Sequence, residues 1–554
     1  LVNPDREVQP EIYELKKVYQ NFNVENIDIN EGLVSISNTN YFVDTKGITL
    51  CWTLLENGIP IKRDTITTLN IAPQSRQLIE LNFSRQNLKA GNEYHVNFSF
   101  YDTKKRNYSE GSVEIASEQL ALDLLPQPSI EREASTASPL RVERKNGLTV
   151  TGKKFHIQFD KLTGAMSQFV YRGSDLLKSP LLPCFWRVPT DNDEGRNNSY
   201  ASSWRKAGLD GYKIKPKQLD FTVLPTGYVQ VYANNLLECK EGNILQKANY
   251  MVSPEGEVII DVVFHVNVDV LSLARVGMEC ALPVEWQNLT WFGRGPHESY
   301  DDRKESAYVG IYKAMVSEQF FSHIMPQENG NKTDNRWLEI YDDSGNGMRI
   351  TGKPLFNFNI QNYSDKDLNR SKKEHTLIRG EKNFCRINYC FDNLYIVANL
   401  PYYITTPIIS KIIEEKIPAC EIVIMIQKEV ADRLCALVGT KEYGQLTVFL
   451  NYFYDIKRVT NVSKNSFVPK PKVDSAVIKM VKKNNLEYVK DLDFFRKIVK
   501  DSFRFKRKTI KNNLCNYDIN IIESVLEKYN FNINTRSENI PYYVFVELAN
   551  ELLK

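Results

Sequence analysis

The chain has 554 residues, room for three or four domains at about 150 residues each. Hydrophobic residues are 42% and charged residues 25%, which excludes a disordered, collagen-like or small disulfide-stapled chain. The net charge of +3 hides a split: residues 1–379 carry 44 basic and 48 acidic groups, whereas residues 380–554 carry 27 and 20. A basic segment on a near-neutral chain points to a local nucleic-acid surface. The nine cysteines are odd in number, irregularly spaced and without a CxxC, which reads as reduced thiols of a cytoplasmic protein with no zinc site. No apolar run reaches the roughly 18 residues of a membrane span. The chain opens at Leu1 with neither an initiator Met nor a leader pattern, and so reads as a fragment.

Residues 5–20 predict an amphipathic helix, with Val8, Ile12, Leu15 and Tyr19 at three- and four-residue spacing. Residues 21–117 switch to period two. Short alternating runs are broken by Lys46-Gly47, Asn57-Gly58 and Ala90-Gly91, which predicts an immunoglobulin-like β-sandwich. Residues 118–146, with Pro126, Pro128 and Pro139, predict a linker. Residues 147–379 are β-rich again and long enough for a large sandwich. Past about 380 the pattern becomes α/β: a continuous apolar strand in LYIVANLPYYIT, a helix in TPIISKIIEEK, then strand and helix in EIVIMIQKEVADRL. Residues 384–485 form this α/β part. Residues 486–554 predict a small helical domain.

Three clusters between 180 and 340 mix carboxylates, amides and aromatics on Gly/Pro loops: PCFWRVPTDNDEG at 183–195, WFGRGPHESYDDR at 291–303 and MPQENGNKTDNRW at 325–337. Sugar sites use this mixture, with rings stacked on aromatic faces and hydroxyls held by amides and carboxylates. The same residues suit a purely structural role. Asp191, Asp193 and Glu194 fit turn caps, and Arg187, Arg294 and Arg303 fit ion pairs with them. The three motifs, in order, resemble the carboxy-terminal part of bacterial β-galactosidases of glycoside hydrolase family 2, and the resemblance covers about residues 1–378. It implies the last helix of a catalytic barrel, then an immunoglobulin-like domain, then a large galactose-mutarotase-like sandwich. Retaining hydrolysis needs two carboxylates about 5–5.5 Å apart. In the family both lie on barrel strands that precede Leu1, so the resemblance assigns no catalytic Glu here and gives Glu298 and Glu328 a supporting role. It does imply that His323, Gln327, Glu328 and Asn329 lie at the rim of a galactoside pocket. The family uses Mg²⁺ and Na⁺, whose main ligands also lie upstream, so no metal site is carried over.

In the last third, Asn399-Leu400-Pro401-Tyr402 ends an apolar strand, where α/β folds place ligands. The chemistry fits methylation of an exocyclic amine: the Asn399 side-chain oxygen and the Pro401 carbonyl accept its two N–H bonds, Tyr402 stacks on the base, and Phe467 closes the other face. A strand-to-turn junction explains a lone NLPY equally well. ANLPYYITTPII, MIQKEVADRL, FVPKPKVDSAVIKM, FKRKTIKNNL and RSENI, in order, resemble the ribosomal RNA adenine dimethyltransferase family over about 384–554. The resemblance implies that Asn399, Pro401, Tyr402 and Phe467 hold the target adenine, that Asn399 also lines an S-adenosylmethionine pocket, and that Arg504, Lys506, Arg507, Lys508 and Lys511 lie against ribosomal RNA. The family's Gly-rich cofactor loop has no counterpart, since Gly380 is the only glycine between Gly352 and Gly439.

The fold class expected is therefore multidomain: two β-sandwiches, a truncated α/β methyltransferase sheet and a helical RNA-binding domain. The two parts meet near 379–384 without a Gly/Ser or Pro linker, which reads as a chimeric gene product or as two genes joined by an artefact of assembly. A non-catalytic carbohydrate-binding sandwich and an RNA-binding remnant are the alternatives, no membrane partner is expected, and a homo-oligomer stays open.

Overall fold

The structure, a computed structural model, describes residues 6–553 apart from 84–87, 105–110, 123–138, 196–198, 271, 390–393, 400–404, 406–408, 410–418, 467–469, 472, 484–485 and 506–507. It divides into two compact units, Leu1–Cys390 and Phe391–Lys554.

The first unit opens with helix α1 (Glu11–Val18), shorter than the 5–20 predicted and without a buried side chain. Polar bonds and one ring contact hold it instead. Tyr13 stacks on His297 with centroids 4.5 Å apart. Glu14 accepts from the Glu305 and Ser306 amides at 3.2 and 3.0 Å, and Lys17 donates to the Ser117 carbonyl at 2.7 Å. The apolar periodicity that suggested a packing face leaves Val8 and Tyr19 exposed.

The immunoglobulin-like domain is a sandwich of a three-stranded sheet (Phe22–Asp28, Leu33–Asn38, Ser75–Glu80) and a four-stranded sheet ordered Ile59–Ile66, Ile48–Glu56, Tyr94–Asp102, Val113–Ala121. Alternate residues of the central strands, including Leu50, Trp52, Val96, Phe98 and Phe100, meet between the sheets. The hairpin after Glu56 turns through Asn57 (φ 50°) and Gly58 (φ 79°), the paired positive values that a two-residue turn of this hand requires. The expected linker at 118–146 is partly strand: Val113–Ala121 runs into it and Arg141–Glu143 emerges from it.

The large sandwich contains three antiparallel sheets. A five-stranded sheet spans Arg141 to Asp175, and a four-stranded meander runs from Lys213 to Asn267. A seven-stranded sheet is ordered Leu182–Cys184, Gly277–Leu282, Asn383–Tyr389, Gly347–Gln361, Lys332–Tyr341, Asn288–Gly295, Tyr308–Met315. Their inner faces share one core that includes Phe159, Tyr250, Trp291 and Phe358. Two short helices attach to this framework. In α2 (Tyr200–Ala207), Ser199 caps the start and Trp204 is buried. In α3 (Asp365–Arg370), Ser364 is the cap.

The sheet order moves the junction. Asn383–Tyr389 pairs with Gly277–Leu282 on one side and Gly347–Gln361 on the other, and Cys385 is buried. The first unit therefore extends past the 379–384 expected. The polar stretch 371–382 marks a loop within the sandwich, and the strand after it completes the sheet's ladder.

In the second unit a four-stranded sheet is ordered Leu394–Asn399, Ala419–Gln427, Ser475–Lys482, Tyr454–Val462. Its first pair is parallel and the other two are antiparallel, so the sheet is mixed. Helix α4 (Lys428–Leu434) follows the second strand directly, and α5 (Gln445–Phe453) precedes Tyr454. Beyond the sheet come α6 (Leu492–Ser502), α7 (Ile510–Asn513), α8 (Ile519–Lys528) and α9 (Tyr542–Leu552). Phe495, Ile498, Ile522, Leu526, Phe545 and Leu548 form their core. Helix α6 ends at Ser502, where the Asn513 side chain takes over: its Nδ2 donates to the Ser502 carbonyl at 2.7 Å. TPIISKIIEEK lies almost entirely outside the described residues.

Candidate functional site

The three loop motifs of the first unit converge on one another, and most of their charges are turned inward. Asp193 takes both Arg187 Nη1 and Nη2, at 2.5 and 2.8 Å, and also the Thr190 amide and hydroxyl at 2.8 Å each. Glu194 pairs with Arg205, and Arg294 pairs with Asp334. Glu298 accepts from Arg303 and, at 2.6 Å, from the Gly330 amide. Gly330 is needed at this point, because its φ is +80° and a Cβ would stand 2.3 Å from the Gln319 carbonyl oxygen.

Of the four predicted rim residues, Gln327, Glu328 and Asn329 are buried and His323 is half-buried. Glu328 receives Arg275 Nη2 at 2.7 Å and Asn359 Nδ2 at 3.2 Å. Burial pushes its carboxyl up, and Arg275 opposes the shift. Arg275 also reaches Asp365 at 3.3 Å, at the start of α3, and Asp365 lies 2.6 Å from Arg386. The Asn329 side chain accepts from Gln361 Nε2 at 2.8 Å and from the Phe321 amide at 3.0 Å. Gln327 contacts Asp191 through both the Asp191 amide (3.3 Å) and its carboxylate (3.4 Å). Asp191, Asn192, Ile324 and Met325 are exposed in these two loops, which Gln327 ties together through Asp191. Burial lowers the His323 pKa, while Glu298, Glu11 and Asp191 pull the other way and Arg303 adds to the lowering.

The charges that anchor the loop were not singled out from sequence: Arg275, Asp365 and Arg386. Arg386 carried a readable signal, a lone guanidinium within the alternating strand FCRINY. The Arg386 Nη1 bond to Asn359 Oδ1, at 3.0 Å, closes the network. Two further groups sit beside it with displaced pKa values. Burial lowers His297 to about 4 and Lys332 to about 8.

In the second unit Asn399 ends the strand Leu394–Asn399, in parallel register with Met425. Pro401, Tyr402 and Phe467 lie outside the described residues, as do Lys506 and Arg507 of the basic run. Arg504, Lys508 and Lys511 are exposed around the break between α6 and α7. The same surface gains Arg496, Lys497 and Lys500 from the outer face of α6, a helical spacing that sequence inspection missed.

Among the described residues neither implied cofactor class finds a matching donor set. The strand before Leu394 belongs to the sandwich of the first unit, so no glycine-rich turn of a cofactor loop leads into Asn399. In the first unit Asp193, Glu194, Glu298, Glu328 and Asp334 are engaged by arginines, and among the described residues no group of three or more His, Cys, Asp or Glu side chains is placed to hold a metal ion. Among the described residues no helix is long and apolar enough to cross a membrane.

Three family models match the chain: Beta-galactosidase, domain 4 over residues 34–123, Beta galactosidase small chain over 151–391, and Ribosomal RNA adenine dimethylase over 380–554. A β-galactosidase of Priestia megaterium is 30% identical over 70% of this chain and 37% of its own length. A ribosomal RNA small subunit methyltransferase A of Bacillus mycoides is 41% identical over 29% of this chain and 58% of its own. Among solved structures, a dimethyladenosine transferase from Plasmodium falciparum matches 28% of this chain and 64% of its own at 30% identity, with a TM-score of 0.24. The chain thus spans little more than a third of the β-galactosidase and under two thirds of the methyltransferase. It is chimeric, with a β-galactosidase-like amino-terminal region and an rRNA adenine dimethyltransferase-like carboxy-terminal region.

Proposed function

We propose that the first unit is the supporting wall of a β-galactoside pocket and that the second binds ribosomal RNA. The observation that carries the first reading is the Arg275–Glu328–Asn359 buttress under the 323–329 loop. It takes Glu328 out of the chemistry and holds Asp191, Asn192 and His323 at the rim of the pocket, where hydroxyls of a sugar would meet them. Among the described residues Asp193, Glu194, Glu298, Glu328 and Asp334 are all held by arginines, so hydrolysis requires a catalytic pair from barrel residues outside residues 1–554, supplied in the assay as a polypeptide. Turnover of a chromogenic galactoside, measured with and without such a polypeptide, tests this. Activity with the partner supports the reading, and zero turnover in both overturns it. The family uses Mg²⁺ and Na⁺, and such ions belong with the partner in this scheme.

The observation that carries the second reading is the exposed cationic surface of Arg504, Lys508 and Lys511. Phosphate neutralisation makes RNA affinity fall steeply with salt, by roughly 0.7–0.9 log units per log unit of salt for each contact. Binding of the chain to a small-subunit ribosomal RNA helix should therefore show a steep salt slope, reduced by about two units in an Arg504→Gln, Lys508→Gln, Lys511→Gln variant. No binding at low salt overturns the reading. In this reading Asn399, Pro401, Tyr402 and Phe467 hold an adenine, and methyl transfer itself awaits an S-adenosylmethionine site that the described residues do not build.

A further inference from the structure

Between α4, α5 and α6 lies a cavity of about 290 Å³. It belongs to the second unit alone and uses none of the residues so far given a role in binding adenine. Its walls combine two chemistries. Leu446, Phe449 and Val499 supply apolar surface, while Arg433, Arg496 and Glu442 supply charge. The Arg496 guanidinium lies over the Phe449 ring at 5.5 Å from its centroid. The Thr447 hydroxyl donates to the Arg433 carbonyl at 2.7 Å, which ties the end of α4 to the start of α5 and fixes the cavity's mouth. Both arginines are exposed.

Volume and lining together limit the occupant. The cavity stands at the lower end of the roughly 300–1,000 Å³ of small-ligand pockets, enough for one nucleotide and too small for a duplex. An aromatic face beside guanidinium groups is how proteins take a single unstacked base together with its phosphate. The position agrees. Arg496 and Lys500 stand one turn apart on the exposed face of α6, which ends at Ser502 just before Arg504 of the basic run already assigned to RNA. We propose that this cavity receives one unpaired nucleotide of the bound RNA. The base lies against Leu446 and the accessible edge of Phe449, whose ring packs on Phe495 at 6.1 Å between centroids and carries Arg496, and its phosphate lies on Arg433 and Arg496. Glu442 faces the base edge and favours one that donates hydrogen bonds. The inference rests on the RNA reading of this unit and adds a second contact to it.

The test uses the full chain and two RNA hairpins with the same stem, one blunt and one with a single-stranded 3′ extension, in fluorescence anisotropy titrations over a range of salt. The chain is expected to bind the extended hairpin about tenfold more tightly than the blunt one, the gain of roughly one stacked base. An Arg433→Gln, Arg496→Gln variant is expected to lose that difference, because it loses more affinity and more salt slope on the extended RNA than on the blunt hairpin. Both side chains are exposed, so an unchanged melting temperature should accompany the loss. Glu442→Gln, which removes the one carboxylate among the lining residues, should weaken binding of an extended RNA whose unpaired base donates hydrogen bonds and leave the blunt one unaffected. If the parent chain binds both hairpins but the double variant keeps the full preference for the extension, the cavity assignment is wrong and the RNA reading stands. If the parent chain binds neither hairpin, the RNA reading fails first.

Discussion

Replacing Glu328 by Gln keeps the shape of the 323–329 loop and removes one charge. Arg275, whose side chain is 3% exposed, then retains Asp365 at 3.3 Å, and Asp365 is already 2.6 Å from Arg386. Two buried guanidinium groups would share one close carboxylate. Breaking a buried, hydrogen-bonded ion pair by removing one partner costs about 3–5 kcal/mol, because the remaining charge stays desolvated. For a sandwich of this size each kcal/mol corresponds to about 2–4 °C, so the transition of the first unit should fall by roughly 6–20 °C. Differential scanning calorimetry of the parent and the variant reads this directly. Adding Arg275→Gln removes both charges and should recover part of the loss, since an absent pair is less costly than a broken one. A shift below about 2 °C for Glu328→Gln would refute the reasoning. It would mean that the carboxylate is hydrated and free to act on a ligand.

Acid should destabilise the first unit. Burial lowers His95 and His297 from 6.5 to about 4, so as pH falls the unfolded chain takes up these protons before the folded one does. The stability involved is fully present above pH 6.5 and is lost progressively between pH 6.5 and about 4. At most about 3 kcal/mol is lost for each group. Melting curves across that range check it, with a flatter profile expected for His297→Phe. Gly330→Ala should destabilise by more than the ~1 kcal/mol of an ordinary left-handed alanine, because its Cβ would meet the Gln319 carbonyl at 2.3 Å. Thermal melting of that variant should show a clear drop, and an unchanged midpoint would mean that the loop turns elsewhere.

Much of the fold was legible because period-two alternation is a local signal. Leu50, Trp52, Val96 and Phe98 alternate with outward residues, and Asn57-Gly58 announces its own hairpin. Helix α1 misled because Val8, Ile12, Leu15 and Tyr19 carry the right spacing, while its actual anchors are polar: Glu14 on two backbone amides and Lys17 on a carbonyl. The end of the first unit misled for a different reason. Asn383–Tyr389 finds its partners more than twenty residues back at Gly347–Gln361 and about a hundred back at Gly277–Leu282, and no local pattern reports such pairing. The loop motifs were visible as motifs, but their orientation was not. Whether Glu328 faces a sugar or Arg275 depends on a residue 53 positions away. The basic run was readable as a run, whereas the Arg433–Arg496 cavity exists only once α4 and α6 are brought together.

One polypeptide carries both regions, with the β-galactosidase-like unit running through Asn383–Tyr389 and the methyltransferase-like unit following it. The most direct measurement is a single amplicon from source DNA across the codons for residues 300–450. The account predicts one unbroken product whose translation matches this junction. Two products, each continuing into its own family, would contradict it, and each region would then belong to a separate protein.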